Sequence, residues 1–276
     1  TPAAETVKSR DLQGRAYIDF PVNVTEIRAD YRGNAVELAK IRATIDSVRQ
    51  DKDITLTSLS IKGFASPEGS YAANERLARG RTLSLKSHVE KLYAFPKDFI
   101  KTSWEAEDWA GLREYVAGSS LKNRDAILAI IDGDLKPDAK EWKIRSTYPA
   151  DYRTLLAEVY PGLRHSDYRV DYVIRQFSDV EEIRRLVVSD PQKLSLNEFY
   201  IAAQSYEAGS EDFIRVMETA VKVYPDDAVA NLNAANAALL RKDAESAARY
   251  LQKAGNGPEA GKARKALEEL RALGEN

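Results

Sequence analysis

The sequence predicts two classes of structure in one chain: an α/β sandwich with helices on one face of a mixed sheet, followed by an all-α helical-repeat domain. Three observations carry this. Strand-like and helix-like segments alternate as far as Phe177. From Asp179 onward only helical periodicity is left. Within that second part Pro191, Pro225 and Pro258 recur at intervals of 34 and 33 residues, each after a helical stretch. A chain of 276 residues is long enough for two domains.

Residues 1–14 are small and polar without periodicity and read as a tail. Residues 15–20 alternate, with Ala16, Ile18 and Phe20 on one face, so a first strand is expected there, closed by Pro21. A short connection leads to a helix over about 34–50, with Leu38, Ile41, Ile45 and Val48 as its apolar stripe. The second strand runs over 54–64. Its apolar parity changes between Ile54/Leu56 and Leu59/Ile61, which predicts a bulge or burial on both faces. A second helix covers about 71–92, with Leu77, Leu85 and Val89 inward, and a third strand covers 99–104. The last strand, 168–177, sets Tyr168, Val170, Tyr172 and Ile174 against Arg169, Asp171 and Arg175. Between about 108 and 165 lies a helical insertion with segments near 109–116, 124–131 and 150–159. It is too long for a plain connection and is expected to form its own subdomain. The domain plan is thus a tail over 1–14, an α/β domain over 15–178 interrupted by that insertion, and a helical domain over 179–276.

Composition narrows the function classes. Lys and Arg number 41 against 43 Asp and Glu, a net charge of −2, which is not the basic stripe of a nucleic-acid binder. No apolar run approaches the ~20 residues that span a bilayer, so no membrane span and a soluble chain are expected. The absence of cysteine excludes disulfides and thiolate chemistry and leaves the compartment open. Thr1 opens a polar stretch without a charged-then-apolar leader, as expected of a processed or excised fragment.

The most informative segment joins the second strand to the second helix: Gly63-Phe64-Ala65-Ser66-Pro67-Glu68-Gly69-Ser70, then Asn74, Leu77 and Arg81. A β-type run ends in a Gly/Pro turn that opens into a helix carrying a basic residue. Loop amides and a helix N-terminus supply positive potential, and an arginine can fork onto a carboxylate. The spacing G-[FY]-x-x-x-x-G-S-x-x-x-N-x-x-L-x-x-x-R resembles the signature of the OmpA-like peptidoglycan-binding domain, over roughly residues 15–177 without the insertion. That resemblance implies a ligand pocket built from Ser66, Asn74 and Arg81. In the family an Asp in the loop and an Arg fifteen residues later hold the amine and carboxylate of diaminopimelate in the peptidoglycan stem peptide. Here Arg81 matches the Arg, and Ser66 stands where the Asp would be. A hydroxyl offers an ammonium a weaker bond than a carboxylate does. Glu68, two residues on, could supply the charge. The loop is similar to that of a subset of OmpA-like proteins of Gram-negative envelopes that carry Ala-Ser-Pro-Glu-Gly and append tetratricopeptide-like repeats.

The repeat signal points the same way. In the unit from Ala228, the small residues Ala235, Ala247 and Ala254 follow at spacings of 12 and 7, letting two helices pack closely, and a weaker copy uses Tyr200, Ala202, Phe213 and Ala220. This resembles the tetratricopeptide repeat, about two copies with a polar cap over 261–273. Stacked hairpins leave a groove for extended peptides or partner proteins.

Catalysis is not expected. Glu105, Glu107 and Asp108 beside Trp104 and Trp109 read as a solvated acidic turn, since neighbours in sequence rarely form a glycosidase pair. The two histidines, His88 and His165, are too few for metal ligation or a triad to be expected, and Ser66 lacks a nucleophile elbow. The reading is a non-enzymatic binding protein without cofactor or metal, placed by resemblance in the periplasm or at the outer membrane or cell surface of a Gram-negative bacterium. Its expected partner is the peptidoglycan stem peptide. The alternative is a scaffold that recruits envelope proteins through its repeats, with a lapsed peptidoglycan site.

Overall fold

The computed structural model describes residues 1–274. The chain is mixed α/β and falls into two compact units: Ser9–Val173, and a second made of Thr1–Lys8 together with Ile174 onward.

The first unit holds a four-stranded mixed sheet in the order β1-β4-β2-β3, formed by β1 (Lys8–Ala16), β2 (Ile54–Phe64), β3 (Ile100–Glu105) and β4 (Ser166–Ile174). Strands β2 and β3 run parallel, in register from Leu59 opposite Ile100 to Phe64 opposite Glu105. Helices α1 (Asn34–Arg49) and α2 (Tyr71–Tyr93) join the strands. Ile41 and Ile45 of α1, Leu85 and Val89 of α2, Leu59 and Ile61 of β2 and Val170 of β4 make one apolar core. Along β2 burial alternates cleanly from Leu59 to Gly63, while Ile54 and Leu56 are half-buried against the same core.

The first strand differs from the sequence expectation. It lies over Lys8–Ala16, so residues 8–14 of the expected tail are strand, and residues 17–20 are not. The reason is position. β1 is an edge strand whose residues from Ser9 to Arg15 are exposed or half-buried, so it has no apolar alternation to betray it. Ile18 and Phe20 still pack into the core from irregular backbone. Buried Asn34 ties that segment down: its side chain accepts from the Asp19 amide (2.8 Å) and donates to the carbonyls of Asp19 (2.9 Å) and Arg28 (2.8 Å).

Helix α2 starts at Ser70, whose hydroxyl accepts from the Ala73 amide, after Gly69 turns the chain at φ +85°. Its buried stripe is Asn74, Ala78, Thr82, Leu85 and Val89, with Leu77 only half-buried beside it. Gly63 is what lets α2 approach β2. A Cβ there would lie 1.9 Å from Thr82 Oγ1 and 3.2 Å from the Ala78 carbonyl. Gly63→Ala is therefore expected to destabilise this unit by about 1–3 kcal/mol through overpacking, with partial rescue by Thr82→Ala. Urea titration followed by tryptophan fluorescence reads this directly, because Trp104, Trp109 and Trp142 all lie in the first unit.

Between β3 and β4 the chain is helical: α3 (Trp109–Ala117), α4 (Arg124–Asp132), α5 (Pro137–Thr147), α6 (Pro149–Thr154) running into a π-helical turn (Leu155–Val159), and α7 (Tyr160–Leu163). These helices share a core of their own around Leu112, Ile127, Ile144 and Leu155. Inside it Glu141 accepts from the hydroxyls of Tyr152 (2.6 Å) and Tyr160 (2.7 Å).

The second unit contains α8 (Val180–Ser189), α9 (Leu196–Gln204), α10 (Glu211–Val223), α11 (Ala228–Leu240), α12 (Ala244–Leu251) and α13 (Pro258–Gly274). Each packs on the next along the chain. Ala235, Ala247 and Ala254 are buried together between α11, α12 and α13, where small side chains let the helices close up. Five of the six begin with an Asp or Ser side chain that accepts from a first-turn amide. No helix among the described residues is long and apolar enough to cross a membrane.

Candidate anion-binding site

The three sequence-picked residues all lie where β2 passes into α2, and they have different surroundings. Ser66 is buried, and its hydroxyl accepts from Arg164 Nε at 3.1 Å. The same guanidinium donates to Glu68 Oε2 at 3.0 Å. Asn74 is buried one turn into α2, and its amide donates to Glu107 Oε2 at 2.7 Å. Arg81 stands two turns further on. Its Nε donates to the Val24 carbonyl at 3.2 Å, and its guanidinium carbon lies 4.7 Å from the centre of the Phe20 ring.

Arg81 and Arg164 line one cavity with Phe20, Gly63, Phe64 and His165. Its volume is about 10 Å³, the space of about one water. Ser66 and Asn74 do not line it. Among the described residues no carboxylate comes within ion-pair distance of Arg81, and its terminal nitrogens bond no protein atom. No fully buried side-chain nitrogen there lacks a partner, so these terminal nitrogens reach solvent. Burial pulls the Arg81 pKa down, the charge of Arg164 adds to this, and Asp19 opposes it from beyond contact. This is a cation whose own protein does not neutralise it.

The helical insertion reaches this corner through three links. Asp138 of α5 accepts from the Tyr71 amide at 2.8 Å, at the start of α2. The Asp108 amide donates to the Ala65 carbonyl at 2.9 Å. Glu107 holds Asn74 and accepts from the Trp109 indole at 2.9 Å. The acidic trio is thus not a solvated turn. Glu105 is exposed and pairs with Lys62, whereas Glu107 and Asp108 are buried. Burial raises the Glu107 pKa against the hydrogen bonds from Asn74 and Trp109.

Asp108 faces His165, which is also buried. The ring nitrogens of His165 lie 2.7 Å from Asp108 Oδ2 and 2.7 Å from Asp167 Oδ1, and the ring stacks on Phe64 at 4.3 Å. Asp167 in turn takes a two-pronged bond from Arg15 (2.8 and 3.1 Å). Burial alone would raise the Asp108 carboxyl; hydrogen bonds from His165 and the Gly111 amide outweigh it and hold the pKa low. This chain of groups spans β1, β4 and the start of α3, and it engages both ring nitrogens of His165. His88 sits apart on α2, half-buried, with its pKa lowered by burial and by Lys91. Among the described residues no three or more acidic or histidine side chains are placed to hold a metal ion.

Sequence reasoning missed Arg164, Glu107 as a partner and His165. Arg164 lies 98 residues from Ser66, in the return from the insertion, and no local pattern marks it. Compared with protein-family models and with curated proteins, the chain matches none.

Proposed function

We propose that this chain is a non-catalytic envelope binding protein that grips a ligand carboxylate at Arg81, as an OmpA-like domain grips the peptidoglycan stem peptide. One observation carries the reading: the outer edge of the Arg81 guanidinium is half-buried, unpaired and open to solvent. A planar fork in that state is suited to a carboxylate, which takes two parallel N–H bonds. Support also comes from the loop spacing Gly63 to Arg81 and from the Ser70 cap that begins α2. The setting proposed, by that same resemblance, is the periplasm or the outer membrane or cell surface of a Gram-negative bacterium.

The test is co-sedimentation with purified peptidoglycan sacculi. Wild type is expected to pellet with them, and Arg81→Ala is expected to stay in the supernatant, a loss of about tenfold or more in affinity. Wild type that stays in the supernatant at low salt sinks the proposal.

A second reading is favoured by Ser66 and Asn74 being bonded internally, to Arg164 and Glu107. In it the pocket has lapsed, and the tetratricopeptide-like helices recruit envelope proteins. Removing residues 1–8 and 174–276 together should then lose the partners recovered by affinity purification. Unchanged partners would leave the helices as a brace.

A further inference from the structure

Strand β1 is the outermost strand on its side of the sheet, with β4 as its one strand neighbour. The backbone N–H and C=O groups that point away from β4 are presented to whatever lies beyond the edge. No proline interrupts Ser9 to Arg15, and Leu12 in the middle of that run is 39% exposed. The charges are arranged about a centre. Asp11 and Arg15 stand two positions to either side of Gln13, and all three are exposed. Strand alternation puts them on the opposite face from Ala16, which is buried in the core beneath the helices.

We propose that this chain self-associates as a two-fold dimer through β1, two copies of the strand pairing antiparallel with Gln13 opposite Gln13 so that the two sheets become one. In that register each Asp11 falls opposite the partner's Arg15, and directly opposed side chains of opposite charge attract. On the other face Leu12 falls opposite the partner's Gly14. A Cβ on Gly14 would collide with the Tyr168 ring, so the absent side chain leaves that ring within reach of the incoming leucine. Neighbouring symmetric registers lose the match. Centred on Asp11 the pairing sets two aspartates together, and centred on Leu12 or Gly14 it leaves Asp11 and Arg15 opposite uncharged residues. Asp11 already lies 3.5 Å from Arg169 and Arg15 lies 2.8 Å from Asp167, both on β4. The new pairs therefore extend an ion-pair ladder across the joined sheet face. A two-fold contact of this kind is closed, so it stops at two copies. It is independent of any ligand at Arg81.

Sedimentation equilibrium of the full chain tests this. Wild type is expected to rise with concentration from the mass of one 30.8 kDa chain toward that of two. Asp11→Arg sets arginine against arginine at both ends of the pairing, and Arg15→Asp sets aspartate against aspartate, so each variant alone should associate about tenfold or more weakly. Mixed together, the two variants present opposite charges to each other at both ends and should dimerise again. Thermal melting of each variant checks that its fold is intact. Wild type that stays a single chain at millimolar concentration overturns the proposal. So does a dimer that both variants leave unchanged, or a mixture that associates no better than its components. A second measurement leaves the charges alone. The chain has no cysteine, so Gln13→Cys and Lys101→Cys each carry a single thiol, the latter on β3 at the opposite edge of the sheet. A short bis-maleimide should link Gln13→Cys into a dimer and leave Lys101→Cys as single chains; equal yields would place the contact elsewhere than β1.

Discussion

Lys8→Met is expected to destabilise the helical unit by about 3–5 kcal/mol, the usual cost of removing one member of a buried ion pair. Lys8 and Glu198 are 0% and 2% exposed in their side chains, and Lys8 Nζ lies 2.8 Å from Glu198 Oε1. The ammonium also donates to the Lys193 carbonyl at 3.0 Å and sits 4.1 Å above the Phe177 ring. Glu198 does more than pair with it. One oxygen accepts from the Ser195 amide, the reciprocal half of the cap that starts α9, and the other accepts from the Phe177 amide at 2.6 Å. Without Lys8 the carboxylate keeps those amide bonds but loses the ammonium that pairs with it in a dry place. The measurement is urea unfolding by far-ultraviolet circular dichroism, with hydrogen exchange of the α9 amides to localise the loss. Glu198→Gln added to Lys8→Met should recover part of the stability, because a neutral amide needs no counter-ion. If Lys8→Met shifts the midpoint no more than a surface substitution would, the pair is not holding α9.

Asp108→Ala is expected to cost the sheet unit about 2–4 kcal/mol, from two separate losses. The carboxylate caps α3 by accepting from the Gly111 amide, worth about 1 kcal/mol. It also partners His165 Nε2, and a buried polar group left alone costs about 1–3 kcal/mol. Asp108→Asn can keep the cap and should lose less. The pH dependence has a definite sign. The folded-state pKa of Asp108 is held below its ordinary value, so its contribution is complete above the unfolded pKa of about 4 and is lost as pH falls through the folded one. Tryptophan-monitored urea midpoints should therefore drop on acidification for wild type and drop less steeply for Asp108→Asn. Parallel acid limbs for the two proteins would remove Asp108 from that account.

The parts legible in the sequence were those with strong apolar periodicity. α1, β2 and α2 sit within a residue or so of where Ile41, Ile45, Leu59, Ile61 and Val89 place them. β1 escaped because an edge strand with Ser9, Asp11, Gln13 and Arg15 outward carries no such period. α5 escaped for the same reason: of its eleven residues only Glu141 and Ile144 are buried. At the candidate site the loop and Arg81 were readable because their spacing is local. Arg164, Glu107 and His165 were not, because each acquires its meaning from a residue tens of positions away. Buried polar partners leave no pattern in a single sequence; only the folded chain brings donor to acceptor.

Lys8 and Glu198 stand 190 residues apart, with the whole of Ser9–Val173 between them. The sheet unit is therefore continuous in the chain and nested inside a helical unit that is not. At ribosomal speeds of about 5–20 residues per second, Lys8 waits about 10–40 s for its carboxylate to be made. The nested unit has all of its residues before the surrounding one does, so during synthesis the helical unit is the last to be complete in sequence. A ribosome paused before Glu198 would already have made every residue of the sheet unit while Lys8 still lacked its carboxylate.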